Sequence, residues 1–313
     1  MGSQSQPKIP VIDMSNESLK PGISTWLSTC KEIRHAFEEI GCFEAIYREV
    51  PLELHNNVFA TAAELFGLPN EIKMKNKSTK TYFDYFGQYA SLPLYESLAI
   101  DNPTSLESTQ SFTTLMWPAG YEGFCESAHS YAEIGAELEK MVMRMLCESY
   151  GLDDEHYESY TESANYLLRY FKYRTPKANE TTVGLNPHTD KTLRSTIHQS
   201  HIKGLQIRTK DDEWIDVEPS PTSFLVMAGY VLTAWSNDRI RPCWHKVNMT
   251  ASETRISMGL FSFISGTVNI PEEFADDTWP LRYKPFNHFR YLRFNSEAEP
   301  KGLPSTLKDY CGM

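Results

Sequence analysis

From about Ser163 onward the chain breaks into short runs of β-branched and aromatic residues at close spacing, and this limits the fold more than any other feature. The runs are Asn165–Tyr173, Ser195–Gln199, Gly204–Arg208, Glu213–Val217, Ser223–Met227, Thr233–Trp235, Trp244–Met249 and Arg255–Ile264. Turn signals such as Lys210-Asp211-Asp212 and Asn237-Asp238 separate them. Strands this short and this close pair antiparallel, so the spacing predicts a sandwich or barrel.

The first half reads differently. Ile9–Asp13 is a short apolar run that suits an opening strand, and Cys42–Ile46 is another. Trp26, Leu27, Cys30, Ile33, Ala36, Phe37 and Ile40 recur at helical spacing until Gly41. Residues 52–65 are helical again, and a long helix spans about Ser127 to Tyr150, closed by Gly151, with a methionine-rich stripe assigned to the core. Residues 76–120 carry aromatics but little periodicity and read as irregular, a candidate lid in which Tyr82, Phe83, Tyr85, Phe86 and Tyr89 would cap a cavity. The expected division is 1–120, an α/β region; 121–162, a supporting helix; 163–270, the β core; and 271–313, a tail with a helix near 286–294. The fold class is mainly β with flanking α.

A net charge of −11 argues against nucleic acid as the main partner, because no basic stripe supplies phosphate contacts. No window approaches eighteen uninterrupted apolar residues, so no membrane span is expected. The N-terminus lacks an apolar h-region, and Gln6 occupies the position where a myristoylation signal at Gly2 needs Ser or Thr. Six scattered cysteines without a Cys-x-x-Cys pair read as reduced thiols of a cytoplasmic protein. Monomer is the default state.

The chemistry concentrates in the β region. On a strand, His188 and Asp190 would share a face and offer one imidazole and one carboxylate to a single point. Alone, that pair reads more readily as a turn with a capping Asp. His245, from a distant strand, completes two nitrogens and one oxygen with three positions left open, the donor set of non-haem Fe(II) oxygenases. Arg255 and Ser257 form a second i, i+2 pair. A guanidinium inside a barrel needs an anion, and no carboxylate is obviously assigned to it, because Glu253 falls in the preceding turn. A ligand carboxylate would fill the role, gripped by the Arg fork and the Ser hydroxyl. Tyr173 is placed to line the same cavity.

These residues resemble the plant soluble Fe(II)/2-oxoglutarate-dependent dioxygenases. The likeness extends through Ile9–Asp13, Gly41-Cys-Phe43, Phe66-x-Leu-Pro69 with Lys73, Gly204-Leu-Gln206, Trp214-Ile215-x-Val217, Trp235-Ser-Asn237 and Arg282-Tyr283-x-Pro285. Leu19-x-Pro-Gly22, Trp117-Pro118 and Asp190-Lys191 are most like the glucosinolate alkenyl/hydroxyalkyl-producing (AOP-like) group. The resemblance implies a double-stranded β-helix (a cupin-like jelly roll), with Fe(II) on His188, Asp190 and His245. It implies 2-oxoglutarate anchored by Arg255, Ser257 and Tyr173, with O2 as oxidant and ascorbate as reductant. The substrate would be a small plant specialised metabolite or hormone that is hydroxylated, desaturated, cyclised or dealkylated. Halogenating relatives give up the carboxylate at Asp190, so its presence here points away from halogenation.

The chain departs from the family pattern in places. The usual Leu-Thr-Ile-Leu after His-x-Asp is Leu193-Arg-Ser-Thr-Ile-His198 here, and Phe171 and Tyr230 stand where the family has Asn and Asp. If strand parity continues from His188, then Arg194, Thr196 and His198 share a face, either for substrate recognition or as an outward, solvated set. Phe261 and Phe263 follow Arg255 at even spacing as candidate substrate wall or core. His35, His55, His129 and His156 are expected at the surface, and His201 and His288 have no assigned role. A zinc hydrolase on the same ligands, or a jelly-roll binding protein without turnover, are the alternatives. The hydrolase lacks a general-base Glu beside the ligands and leaves Arg255 and Ser257 unexplained.

Overall fold

In the computed structural model, residues 8–15 and 19–313 are described. The myristoylation and leader readings at residues 1–7 lie outside them. The first elements are β1 (Val11–Asp13), α1 (Ser24–Glu39), β2 (Cys42–Ile46), α2 (Leu52–Gly67) and α3 (Asn70–Lys73). Then come β3 (Tyr95–Asp101), α4 (Leu106–Met116), α5 (Glu122–Tyr150) and α6 (Asp154–Ser163). The β-rich half holds β4 (Ala164–Tyr173), β5 (Val183–His188), β6 (Arg194–Gln199), β7 (Leu205–Arg208), β8 (Trp214–Asp216) and β9 (Ser223–Ala228). It continues with α7 (Tyr230–Trp235), β10 (His245–Asn248), β11 (Arg255–Ile264) and β12 (Thr267–Val268). The tail carries β13 (Phe286–Asn287), α8 (His288–Ala298) and α9 (Leu307–Cys311).

Two sheets face each other as a jelly roll. The larger runs β1-β2-β9-β6-β11-β4-β3 and the smaller β5-β10-β7-β8. β1 pairs with β2, β2 with β9, and β3 with β4, so strands from the first 120 residues extend the barrel sheet itself. On the outer face lies α5, whose buried positions Phe124, Ala128, Tyr131, Ala132, Leu138, Val142, Met145 and Leu146 recur at helical spacing. Gly135 marks its closest approach to the sheet: a Cβ there would sit 3.0 Å from Leu260 Cδ2. Gly151, at φ +73°, ends the helix in the left-handed conformation that glycine adopts freely.

The stretch 76–120 is more regular than its sequence suggests, since it contains β3 and α4. The buried face of α4 is Thr109, Phe112, Thr113 and Met116. Two of these four are threonines that satisfy their hydroxyls on main-chain carbonyls, Thr109 on Pro103 (3.1 Å) and Thr113 on Thr109 (2.7 Å). Counting apolar residues therefore misses the stripe. In β3 the second residue is Glu96, buried because Lys73 of α3 pairs with it at 2.5 Å.

Thr233–Trp235, expected as a strand, is the end of α7. Val231 to Trp235 are all buried, so no periodicity distinguishes helix from strand. Asn237 and Asp238, at φ +53° and +66°, turn the chain out of the helix. Among the described residues no helix is long and apolar enough to cross a membrane.

Candidate active site

β10 of the smaller sheet pairs antiparallel with β5, placing His245 directly opposite His188. β5 ends at His188, so Asp190 joins the histidines from the turn that follows and not, as expected, by alternation along one strand. Asp190 Oδ1 lies 3.5 Å from His188 Nε2 and 3.8 Å from His245 Nε2. All three donors lie within 4.8 Å of one another, close to what one ion with bonds of about 2.1 Å gathers.

Each ring is oriented from behind. His188 Nδ1 donates to the Asn186 carbonyl (2.8 Å) and His245 Nδ1 to that of Cys243 (3.2 Å), leaving both Nε2 lone pairs aimed at the shared space. Burial, with His188 beside it, pulls the His245 pKa down to about 4, so its imidazole is neutral and able to ligate. Burial pushes the Asp190 pKa upward, but the two histidines and the Ser195 hydroxyl, which donates to Oδ2 at 2.6 Å, hold it below the usual carboxylate range.

The Asp190–Leu193 turn is clasped by the start of α7. Gly229 N donates to Leu193 O (3.0 Å), Tyr230 N to Asp190 O (2.8 Å) and Val231 N to Thr192 O (3.1 Å). A Cβ on Gly229 would stand 2.0 Å from Thr192 O, so the turn must move to admit it. Gly229→Ala is expected to weaken Fe(II) binding by roughly ten- to a hundredfold, the usual cost of disturbing the support behind a metal ligand. Equilibrium Fe(II) titration checks this, and unchanged affinity would show that the turn tolerates displacement. His288 braces the same turn from α8. Its Nε2 donates to Lys191 O (2.8 Å) while Nδ1 accepts from Ile264 N (3.1 Å).

Next to the three donors opens a cavity of about 460 Å³, lined largely by apolar side chains that include Phe171, Ile197, Leu205, Phe261 and Phe263. At one end is Arg255, 1% exposed. Its Nη1 donates to Ser257 Oγ (2.9 Å), its Nη2 to Gln199 Oε1 (2.7 Å), and its guanidinium lies 5.2 Å from the centre of the Tyr173 ring. Among the described residues no carboxylate comes within ion-pair distance, and buried Nε has no partner. Burial lowers the Arg255 pKa to about 10, which still leaves a cation at neutral pH. Glu253 is out on the surface against His201 (3.6 Å). Tyr173 lies directly across the ladder from Arg255, and burial raises its phenol pKa so that it remains a donor.

Arg194 and His198 are not in this cavity, which corrects both readings of them. Parity does not carry over from β5 to β6, because the turn between them passes from one sheet to the other. Ser195, Ile197 and Gln199 point inward, while Arg194, Thr196 and His198 are buried against the helical layer. Arg194 pairs with Glu139 of α5 at 2.9 Å, both side chains fully buried. His198 stacks on Tyr131 (centroids 5.9 Å apart) and meets His55 of α2, its Nε2 3.2 Å from His55 Nδ1. His55 is thus partly buried and not a surface residue. Of the inward polar residues, Gln199 and Arg169 carry no signal in the sequence because each takes its role from a partner remote in the chain, Arg255 and Ser97, whereas Ser195 meets Asp190 only five residues away once the turn folds.

Two imidazole nitrogens and one carboxylate oxygen on one side of a space, at the mouth of a jelly roll, are the donor arrangement of non-haem Fe(II) oxygenases. The chain belongs to the 2OG-Fe(II) oxygenase superfamily, whose family model matches residues 163–264. Residues 9–119 match the model described as non-haem dioxygenase in morphine synthesis, N-terminal. The probable 2-oxoglutarate-dependent dioxygenase AOP1.2 of Arabidopsis thaliana is 40% identical over 92% of this chain and 90% of its own length. The Arabidopsis 2-oxoglutarate-dependent dioxygenase AOP3 is 29% identical over 100% of the chain and 99% of its own length. Among solved structures, the rice dioxygenase for auxin oxidation superposes with a TM-score of 0.80 at 24% identity, covering 98% of this chain and 100% of that one. JOX2 in complex with 2OG, Fe and JA gives a TM-score of 0.77 at 25% identity, covering 91% and 84%. The protein is an Fe(II)- and 2-oxoglutarate-dependent oxidoreductase of the AOP-like group. Neither the zinc-hydrolase nor the binding-protein alternative finds support.

Proposed function

We propose that His188, Asp190 and His245 hold the iron, that Arg255, Ser257 and Tyr173 seat the far carboxylate of 2-oxoglutarate, and that Phe261 and Phe263 form part of the substrate wall. The observation that carries this reading is the buried Arg255, which opens on the same cavity as the three donors and meets no carboxylate among the described residues. Bound iron, with 2-oxoglutarate and O2, supplies the oxidising power through decarboxylation of the cosubstrate to succinate and CO2. The chain's own residues position and shield. Ser257 accepts from Arg255, which leaves its hydroxyl hydrogen free for the ligand carboxylate. Gln199 fixes the guanidinium plane. The aromatic walls exclude water from the reacting carbon.

The substrate in this reading is a small plant specialised metabolite or hormone, and the outcome is hydroxylation, desaturation, ring formation or dealkylation. Relatives described for auxin oxidation and in complex with JA support that size class. The reading also has the protein act as a cytoplasmic monomer. Six free, buried cysteines support a reducing compartment, and a single-chain mass by light scattering would test the second point.

Anaerobic addition of Fe(II) and 2-oxoglutarate is expected to produce the weak visible charge-transfer band of the chelate in wild type and none in Asp190→Ala. Absence of a wild-type band, alongside tight zinc binding, would overturn the assignment.

A further inference from the structure

The cavity wall carries three cations, Arg169, Lys191 and Arg255, and two carboxylates, Asp190 and Glu299. Asp190 faces the two histidines, and Glu299 lies 3.8 Å from Lys191 Nζ. Two arginines therefore remain unanswered. The reading above gives Arg255 to the cosubstrate and leaves Arg169.

Arg169 is 6% exposed. Its Nη1 donates to Asp84 O (3.1 Å) and Ser97 Oγ (2.9 Å), and its Nη2 to Tyr82 O. These acceptors are neutral, and no carboxylate among the described residues, that of Asp84 included, comes within 4.0 Å. The bonds occupy both Nη1 hydrogens and one on Nη2. The remaining hydrogens, on Nε and the second on Nη2, meet no carboxylate among the described residues, with the neutral Tyr95 hydroxyl beside the guanidinium; this side edge is one that carboxylates grip with two parallel bonds. Its cross-strand neighbours, Gly259 on β11 and Ala99 on β3, are among the smallest side chains and cover little of it. Phe86 lies beneath the guanidinium at 5.4 Å, and Tyr95 places its hydroxyl on the same Ser97 Oγ (2.9 Å). This is a polar anchorage in an otherwise apolar wall. A buried guanidinium without a counter-charge is costly unless a ligand brings one.

We infer that the substrate is an organic acid whose carboxylate docks on Arg169, with its apolar body lying along the aromatic wall toward the three donors. This rests on the assignment of Arg255 to 2-oxoglutarate. Arg169 stands four residues along β4 from Tyr173, the cross-strand partner of Arg255. At ~3.3 Å per residue the two anion sites lie about 13 Å apart along the strand, so both acids fit at once.

The anaerobic Fe(II)·2-oxoglutarate complex of the full chain is titrated by calorimetry with phenylacetate, phenylpropanoate, phenylbutanoate and naphthylacetate, each against its primary amide. At least one acid is expected to bind wild type about tenfold or more tightly than its amide, the difference between a charge-assisted pair and a neutral bond. That preference falls to about twofold in Arg169→Gln, is partly kept by the point charge of Arg169→Lys, and is retained in Lys191→Gln. If no acid is preferred by wild type, or if the preference survives Arg169→Gln, the inference is wrong. The wild-type comparison decides even where Arg169→Gln misfolds. Loss of the 2-oxoglutarate band in a folded Arg169→Gln would assign the residue to the cosubstrate and also overturn the inference. Absence of the band in wild type would remove the underlying reading, whereas a normal band with no acid preference removes only the substrate class.

Discussion

Arg255→Ala is expected to weaken 2-oxoglutarate binding by roughly thirtyfold to several thousandfold, the span of about 2–5 kcal/mol lost when one partner of a buried charge pair is truncated. The guanidinium is fully buried, is already oriented by Ser257 and Gln199, and faces no competing carboxylate among the described residues. No rearrangement or loss of a protein ion pair precedes binding, so the full strength of the contact goes to the ligand. Arg255→Lys keeps the charge but not the two-pronged geometry and is expected to fall between wild type and Ala. The readout is half-saturation of the chelate band, or KM for 2-oxoglutarate in a succinate assay. Fe(II) affinity without cosubstrate should stay unchanged, because none of the three donors touches Arg255. An unaltered KM in a folded Arg255→Ala protein would mean that the cosubstrate sits elsewhere.

The other large effect is on stability and lies on the opposite face of the same sheet. Glu139→Leu is expected to cost about 3–5 kcal/mol, because it strands Arg194 as a buried charge. On the scale of a large domain that is roughly ten degrees of Tm. Arg194 Nε and Nη2 reach the Glu139 carboxylate at 3.0 and 2.9 Å, while the Thr196 hydroxyl bonds its other oxygen. Burial works against the Arg194 charge, and Glu139 outweighs it, so the guanidinium stays ionised. The double change Glu139→Leu with Arg194→Met removes both charges together and should recover most of the loss. If Glu139→Leu melts within two degrees of wild type, water or a rotated side chain must replace the carboxylate. Chelate formation by folded protein should be normal in both variants, since the pair projects away from the cavity.

The same strand shows where reading the sequence stops. In β6, residues of one parity meet α5 and those of the other meet the cavity. Nothing in Leu193–Gln199 states which is which. Both sets are buried and both contain polar residues, so the usual apolar-in, polar-out alternation carries no sign. The sheet change between β5 and β6 sets the phase, and it comes out opposite to continued parity from His188. β3 and α4 were illegible for a related reason: their buried faces include a glutamate and two threonines, polar by composition but satisfied by Lys73 and by main-chain carbonyls.

The sequence by itself determined the chemistry and the architecture that bears it. His188, Asp190, His245, Arg255 and Ser257 are residue types whose joint spacing suits little besides a metal centre with a carboxylate-binding arm, and the closely spaced strand runs required an antiparallel β core. Only the tertiary structure decided which polar residues are free to meet a ligand. Arg194 and Arg169 look alike on paper. One finds Glu139 across a helix–sheet interface, the other only neutral oxygens and no carboxylate among the described residues. A buried charge takes its meaning from whether a counter-charge is present, and that partner is supplied by packing between segments far apart in the chain.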